Sequence, residues 1–384
     1  MHNNLIRSFI LCVILWSPAC LIAAAEKPAS FQEMVESKKD LWGETAMRQP
    51  NGPSYEFFRD LLPPPRYVNA DFRYYPIVLS APNAKVKARL ISNGSGVNLH
   101  AGARSWKEPG WPVSFRVGAD EFQFGGELQR LEQPTLADGY LPIVQIRYRH
   151  PMPLQAESNI PVNQVKSGPT PEIYQLEAFA ATDPALAENG VVFVKFSLAR
   201  GTNGLVTVEF ESKSAVKFAN GIITSDKGEI LAQGDASWRW ERGSAHARIT
   251  AKQSAVIAIA TKPLAREITL DYDRERGKCA ATWQEILAGG MNLETPEPVV
   301  NNAWRHLLIQ NFELVNGNRM NYSAGNQYEA LYVAEGSDAA LAFLVWGFEK
   351  DMRRVIVPLY EYSLPGLEFH QAGFKLLDLC RYYW

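Results

Sequence analysis

The chain has 384 residues, 46% of them apolar and 21% charged, and its 39 Lys and Arg against 41 Asp and Glu leave a net charge of −2. These proportions are those of a globular protein. They exclude a disordered or collagen-like chain, and the lack of a basic excess argues against a nucleic-acid partner. The length accommodates two or three domains. Aromatic residues reach 11%, with 10 Trp and 15 Tyr, which suits either a large β-rich core or a surface on which flat ligands such as sugars stack.

Arg7, then the uncharged and largely apolar stretch Ser8 to Ile22, then Ala23-Ala24-Ala25 follow the order of a secretory signal peptide. Residues 1–25 are therefore expected to be a signal peptide, and the chain to be exported, periplasmic or extracellular. Ser17-Pro18 interrupts the apolar stretch and no stop-transfer pattern follows, so no stable membrane insertion is expected. Ser17-Pro18-Ala19 before Cys20 is a poor lipobox. Cleavage leaves Cys279 and Cys380, too few for a dense disulfide framework. Whether these two pair is left open by the export route.

Residues 26–65 form a polar N-terminal extension with short helical pieces at Phe31–Val35 and Tyr55–Phe58, closed by Pro63-Pro64-Pro65. Residues 66–272 read as strand after strand: 72–80, 86–92, 113–117, 121–124, 143–150, 173–180, 191–199, 205–211, 216–224, 230–233, 246–251, 254–261 and 267–272. Many alternate with period two, as in Ile146-Arg147-Tyr148-Arg149, which buries one face and wets the other. Asn93-Gly94, Gly125-Gly126, Asn203-Gly204 and Asn220-Gly221 supply turns. A large antiparallel sandwich follows from this pattern.

The period changes at Asp273. Arg274 to Ala288 predicts a helix with Cys279 and Trp283 on one face, and residues 273–298 serve as linker helix and hinge. Thr295 with Pro296 predicts the cap and first position of the next helix, Val299 to Val315. Tyr328 to Phe348 is apolar nearly all round and predicts a fully buried helix. Lys350 to Tyr362 and His370 to Trp384 predict two more, so residues 299–384 form a helical domain. Three aromatics end the chain within the last predicted helix, which reads as a fragment.

The order of these parts resembles the six-hairpin glycosidases, the (α/α)6 toroid enzymes with an N-terminal super-sandwich that include bacterial glucoamylases and glycoside phosphorylases. The resemblance rests on Ala281-Thr282-Trp283-Gln284-Glu285-Ile286-Leu287, Glu294-Thr295-Pro296 and Asn301-Asn302-Ala303-Trp304, which look like that family's linker helix and first toroid helix. Tyr328 through Ala340 looks like its first inner helix. The resemblance implies a β-super-sandwich, a linker helix and the first hairpins of an incomplete toroid. It implies a glycoside hydrolase-like protein whose partner is an oligo- or polysaccharide. The family segment aromatic-x-Arg-Asp grips sugar hydroxyls. Here Tyr332 falls on the aromatic and Glu335 on the Asp, with Ala334 in place of the Arg. The family's catalytic carboxylates would lie beyond Trp384, so no residue of this chain is assigned as acid or base.

Read by their own chemistry, Glu335 and Asp338 are an i, i+3 carboxylate pair, suited to accept sugar hydroxyls or to complement a helix N-terminus. Glycoside hydrolysis needs carboxyls about 5–5.5 Å or about 6.5–9.5 Å apart on either side of a bond, and a same-helix pair rarely flanks a substrate. The loop Gly317 to Tyr328, with Arg319, Asn326 and Tyr328, is either a polar connection or a sugar-binding rim of amides and rings. His370 is a candidate for the same rim. The six His show no HExxH spacing, no glycine run reads GxxxxGK, and no Ser sits in GxSxG. No metal or cofactor is therefore expected, and acyl transfer is disfavoured. The alternative to the enzyme is a non-catalytic carbohydrate-binding or structural β-sandwich protein.

Overall fold

A computed structural model describes residues 28–37, 39–54, 57–58, 61, 76–99, 110–150, 171–211, 216–324 and 328–383. The expected signal peptide, Tyr55 and Glu56 of the 55–58 helix, the beginning of the first predicted strand and Asn326 lie outside these. The chain divides into two compact units, 1–70 and 71–384. In the first, α1 (Phe31–Glu36) begins in a capping box: Ser30 Oγ accepts the Glu33 N–H, and the Glu33 carboxylate accepts the Ser30 N–H. Helix α2 (Leu41–Met47) is capped by Asp40, and its buried Trp42 donates from Nε1 to the Ala29 carbonyl at 2.7 Å.

The second unit contains two large antiparallel sheets. The first orders β1 (Pro76–Leu79), β2 (Ala88–Ile91), β3 (Gly96–Val97), β4 (Val113–Val117), β10 (Asn203–Phe210), β15 (Ser244–Thr250) and β14 (Trp238–Glu241), with β5 (Phe122–Gln123) paired to β4. The second orders β11 (Lys217–Ala219), β12 (Ile222–Thr224), β13 (Ile230–Gly234), β16 (Ala255–Leu264), β9 (Val191–Arg200), β8 (Ile173–Ala180), β7 (Leu141–Arg149) and β6 (Thr135–Ala137). A one-turn helix, α3 (Pro184–Ala187), joins β8 to β9. Leu90, Phe115, Val208 and Ile249 of the first sheet share one buried cluster with Ile146, Leu176, Val194 and Ile257 of the second. The sheets therefore pack face to face.

Five helices follow: α4 (Tyr272–Ala288), α5 (Pro298–Leu314), α6 (Val333–Val345), α7 (Glu349–Glu361) and α8 (Glu368–Tyr383). Between α5 and α6 lies a two-stranded ribbon, β17 (Val315–Asn316) and β18 (Arg319–Met320). The outer face of the second sheet, through Ile143, Phe179, Phe193 and Ala258, packs on Trp283 of α4 and Phe312 of α5. The strand texts carry this layering. Leu141–Val144 and Val191–Val194 are apolar without interruption and buried on both faces. Past them the strands alternate, with Ile146 and Tyr148 buried and Arg147 and Arg149 exposed. Helices cover only one half of that face, and the other half is wet.

Four expectations need correction. Glu267–Tyr272 is not a strand: the Gln233 amide takes both the N–H and the carbonyl of Ile268, at 2.9 and 2.8 Å, and so replaces a ladder partner. The helix then begins at Tyr272, capped by Asp271. Thr295 does not cap the next helix, which starts at Pro298; its backbone instead clasps the Asn301 side chain at 2.7 and 2.9 Å. The 216–224 strand breaks into β11 and β12 at Asn220-Gly221, both at positive φ. The stretch 328–348 is helical only from Val333 to Val345 and is not fully buried, since Glu335, Asp338 and Val345 are exposed. Ala334, Ala339 and Ala342 are half-buried, so an apolar residue on this helix does not by itself mark a core position. Strand β14, with its Trp238-Arg239-Trp240-Glu241 alternation, adds to the strands expected from the sequence. Cys279 and Cys380 are both free thiols.

Candidate functional site

The ribbon β17–β18 turns at Gly317, whose φ of 67° suits glycine. Past the ribbon, the Asn321 N–H donates to the carbonyl of Leu314, the last residue of α5. The following loop folds on itself: the Tyr322 N–H donates to the Ala330 carbonyl at 2.7 Å, and the Ala330 N–H to the Tyr328 carbonyl at 2.7 Å. These two bonds gather three tyrosine rings. Tyr322 lies 6.0 Å from Tyr328 and 5.6 Å from Tyr332 between ring centroids, both edge-on. The rings are 40%, 49% and 37% exposed. Among the described residues, Trp238 is buried in the sandwich, and Trp283 and Trp304 among the helices.

Beneath the loop lies an ionic anchor. Lys87, just before β2, and Arg89 within it alternate with Ala88 and Leu90, so their side chains leave the sandwich core on the opposite face. Both are nevertheless fully buried. Arg89 forms an ion pair with Glu329, between Tyr328 and Ala330, and the Lys87 ammonium donates to the Glu313 carbonyl near the end of α5. Burial pushes the Glu313 carboxyl up to about 8, against the pull of Lys87 and the Ser80 N–H.

Glu335 and Asp338 stand exposed on the first turns of α6, which Tyr332 precedes as the N-cap residue. Arg319 is exposed on β18, and no ion pair joins it to Glu335 among the described residues. His370 is exposed on α8, where its ring meets Phe374 at 5.0 Å; it makes no ring contact with the tyrosines. The structure thus brings together Tyr328 and Tyr332 of the expected residues and adds Tyr322. Arg89 and Glu329 had no signal as site residues. A Lys-x-Arg alternation reads as a wet strand face, and their partners lie 226 and 240 residues away.

Chemically, the cluster offers apolar ring faces with hydroxyl edges, followed along α6 by the two exposed carboxylates of Glu335 and Asp338 as acceptors. Such groups receive a polyol with an apolar face. No group of metal-ligating side chains is present among the described residues. No family model matches the chain, and no curated protein matches it.

Proposed function

We propose that the chain is an exported carbohydrate-active protein of glycoside-hydrolase type. In this reading its two sheets are a super-sandwich, and the helices from Pro298 onward open an (α/α)6 toroid. The observation that carries it is the exposed cluster Tyr322, Tyr328 and Tyr332 at the N-terminal end of α6, with Glu335 and Asp338 one turn on. Aromatic rings held with exposed faces stack on the apolar side of a pyranose, and the neighbouring carboxylates accept its hydroxyls. The apolar side chains left exposed on the helices, Leu307, Val357, Phe369 and Leu376 among them, are faces that further helices of a toroid would cover.

One observation favours a second reading, a carbohydrate-binding protein without catalysis. Glu335 and Asp338 project from the same helix, and hydrolysis needs carboxyls on opposite sides of a bond. Incubating the full chain with a panel of insoluble polysaccharides tests both readings. Retention without release of reducing ends supports a saccharide site in this chain, which both readings share. Retention with release supports catalysis by this chain itself and contradicts the expectation that the catalytic carboxylates lie beyond Trp384. No retention on any member contradicts both.

A further inference from the structure

On the outer face of the second sheet, beyond the residues packed under the helices, lies an open cleft. Strands β8 and β9 pair Gln175 with Ser197 and Glu177 with Lys195. These four side chains share the face that carries Phe179 and Phe193 under the helices. Beyond the first residue of α4 they floor an open cavity of about 310 Å³, walled by the 250–254 turn with Lys252 and Gln253. That size is at the lower end for small-molecule sites, which run roughly 300–1,000 Å³.

The charge of this cleft is determined by what its one carboxylate is already doing. Glu177 accepts from the Tyr272 hydroxyl at 2.6 Å, from Arg276 Nε at 2.7 Å and from Gln145 Nε2 at 2.6 Å. Burial alone would raise its carboxyl, but these bonds outweigh burial and hold it below the usual carboxylate range. Its lone pairs are spent and its charge is matched by Arg276. Lys195 lies over the Tyr272 ring at 4.9 Å, and neither Lys195 nor Lys252 has a carboxylate partner among the described residues. The Gln175 carbonyl accepts from Arg147 at 3.0 Å, which turns its amide nitrogen into the remaining free group. The cleft therefore presents two ammonium groups amid amide and hydroxyl groups, and its only carboxylate is neutralised.

We infer that this cleft binds a carboxylate-bearing sugar, a uronate residue, with Lys195 and Lys252 on the carboxylate and Gln175, Ser197 and Gln253 on the hydroxyls. The choice of a sugar as the carrier of the carboxylate rests on the carbohydrate reading above; the positive, donor-rich cleft does not. Two ammonium groups fit an anion, and the surrounding amides and hydroxyls fit a polyol rather than a bare inorganic ion.

Calorimetric titration of the full chain with D-glucuronate, D-glucose and sodium sulfate tests the inference. D-Glucuronate is expected to bind saturably and at least tenfold more tightly than either of the others. The K252A variant, altered only on an exposed turn, should weaken it several-fold. K195A/K252A should abolish it, and K195R/K252R should retain it. The Y322A/Y328A/Y332A variant should leave it unchanged, which separates this cleft from the tyrosine cluster. In Y322A/Y328A/Y332A, where the tyrosine cluster is removed, glucose binding equal to that of glucuronate overturns the inference, as does equal binding of sulfate or glucuronate binding that survives K195A/K252A. Neutral polysaccharide retention without glucuronate binding refutes the cleft alone, and the reverse result refutes the tyrosine reading alone.

Discussion

Arg89 on β2 and Glu329 in the loop before α6 form an ion pair whose side chains are 1% and 7% exposed, across 240 residues of sequence. The pair ties the first sheet to the loop that carries Tyr322, Tyr328 and Tyr332. Breaking a buried ion pair by removing one partner costs about 3–5 kcal/mol. R89M and E329Q are each expected to lower stability by that order in denaturant unfolding. The double variant R89M/E329M should recover at least half of the loss, because no charge is left unpaired. A double variant as unstable as the sum of the singles would contradict this.

Glu313 makes stability depend on pH. Its folded carboxyl titrates near 8 and its unfolded one near 4.5. Between these values the unfolded chain has released a proton that the fold retains, so stability falls as pH rises, by an amount on the order of a few kcal/mol. His306 acts in the opposite sense. Burial, the larger effect, lowers its folded value despite its bond to the Tyr140 carbonyl, so its contribution grows with pH up to its unfolded value near 6.5 and is then constant. The clean window is pH 6.5–8. Melting temperature should fall there for the natural chain and stay flatter for E313Q. Parallel curves would show that Glu313 is not the titrating group.

Much of this architecture is legible from residues. The uninterrupted Leu141–Val144 and the alternating Ile146–Arg149 already say that one strand passes from a doubly covered region to a half-wet one. Cys279 and Trp283, four apart, point to one buried helix face, and both are buried. The candidate site is less legible, for physical reasons. Its tyrosines could be read in the loop, but not its footing. Lys87 and Arg89 look like solvent-facing strand residues, because alternation reports only which side of the sheet a residue takes. What covers that side is determined by partners far along the chain. The Gln233 side chain likewise replaces a strand pairing at Ile268 that local composition alone suggests.

Two turns readable as separate signals prove to be one structure. Asn93 is fully buried, and its amide donates to the Gly125 carbonyl at 3.1 Å, clipping the Asn93-Gly94 turn to Gly125-Gly126. Gly125 sits at φ 67°, and a Cβ there would approach the Asn93 carbonyl oxygen to 2.0 Å. Gly125→Ala combines backbone strain with a backbone clash and should destabilise the chain by about 2 kcal/mol or more. An unchanged unfolding midpoint would mean the two turns separate easily.

If the chain is exported by way of its first 25 residues, the mature protein recovered outside the cytoplasm begins at Glu26. N-terminal sequencing reads this directly. A product retaining Met1, Arg7 or Cys20 would contradict cleavage after Ala25.

The most direct measurement is the affinity of the full chain for the polysaccharide that retains it, compared with Y322A/Y328A/Y332A and Y322F/Y328F/Y332F. The rings are substantially exposed and contribute little to the core, so both variants should unfold at nearly the natural midpoint. The alanine variant should lose at least tenfold in affinity, and the phenylalanine variant, which keeps the stacking faces, should lose less. Alanine substitution that leaves binding intact in a folded chain would contradict the tyrosine cluster as the saccharide site.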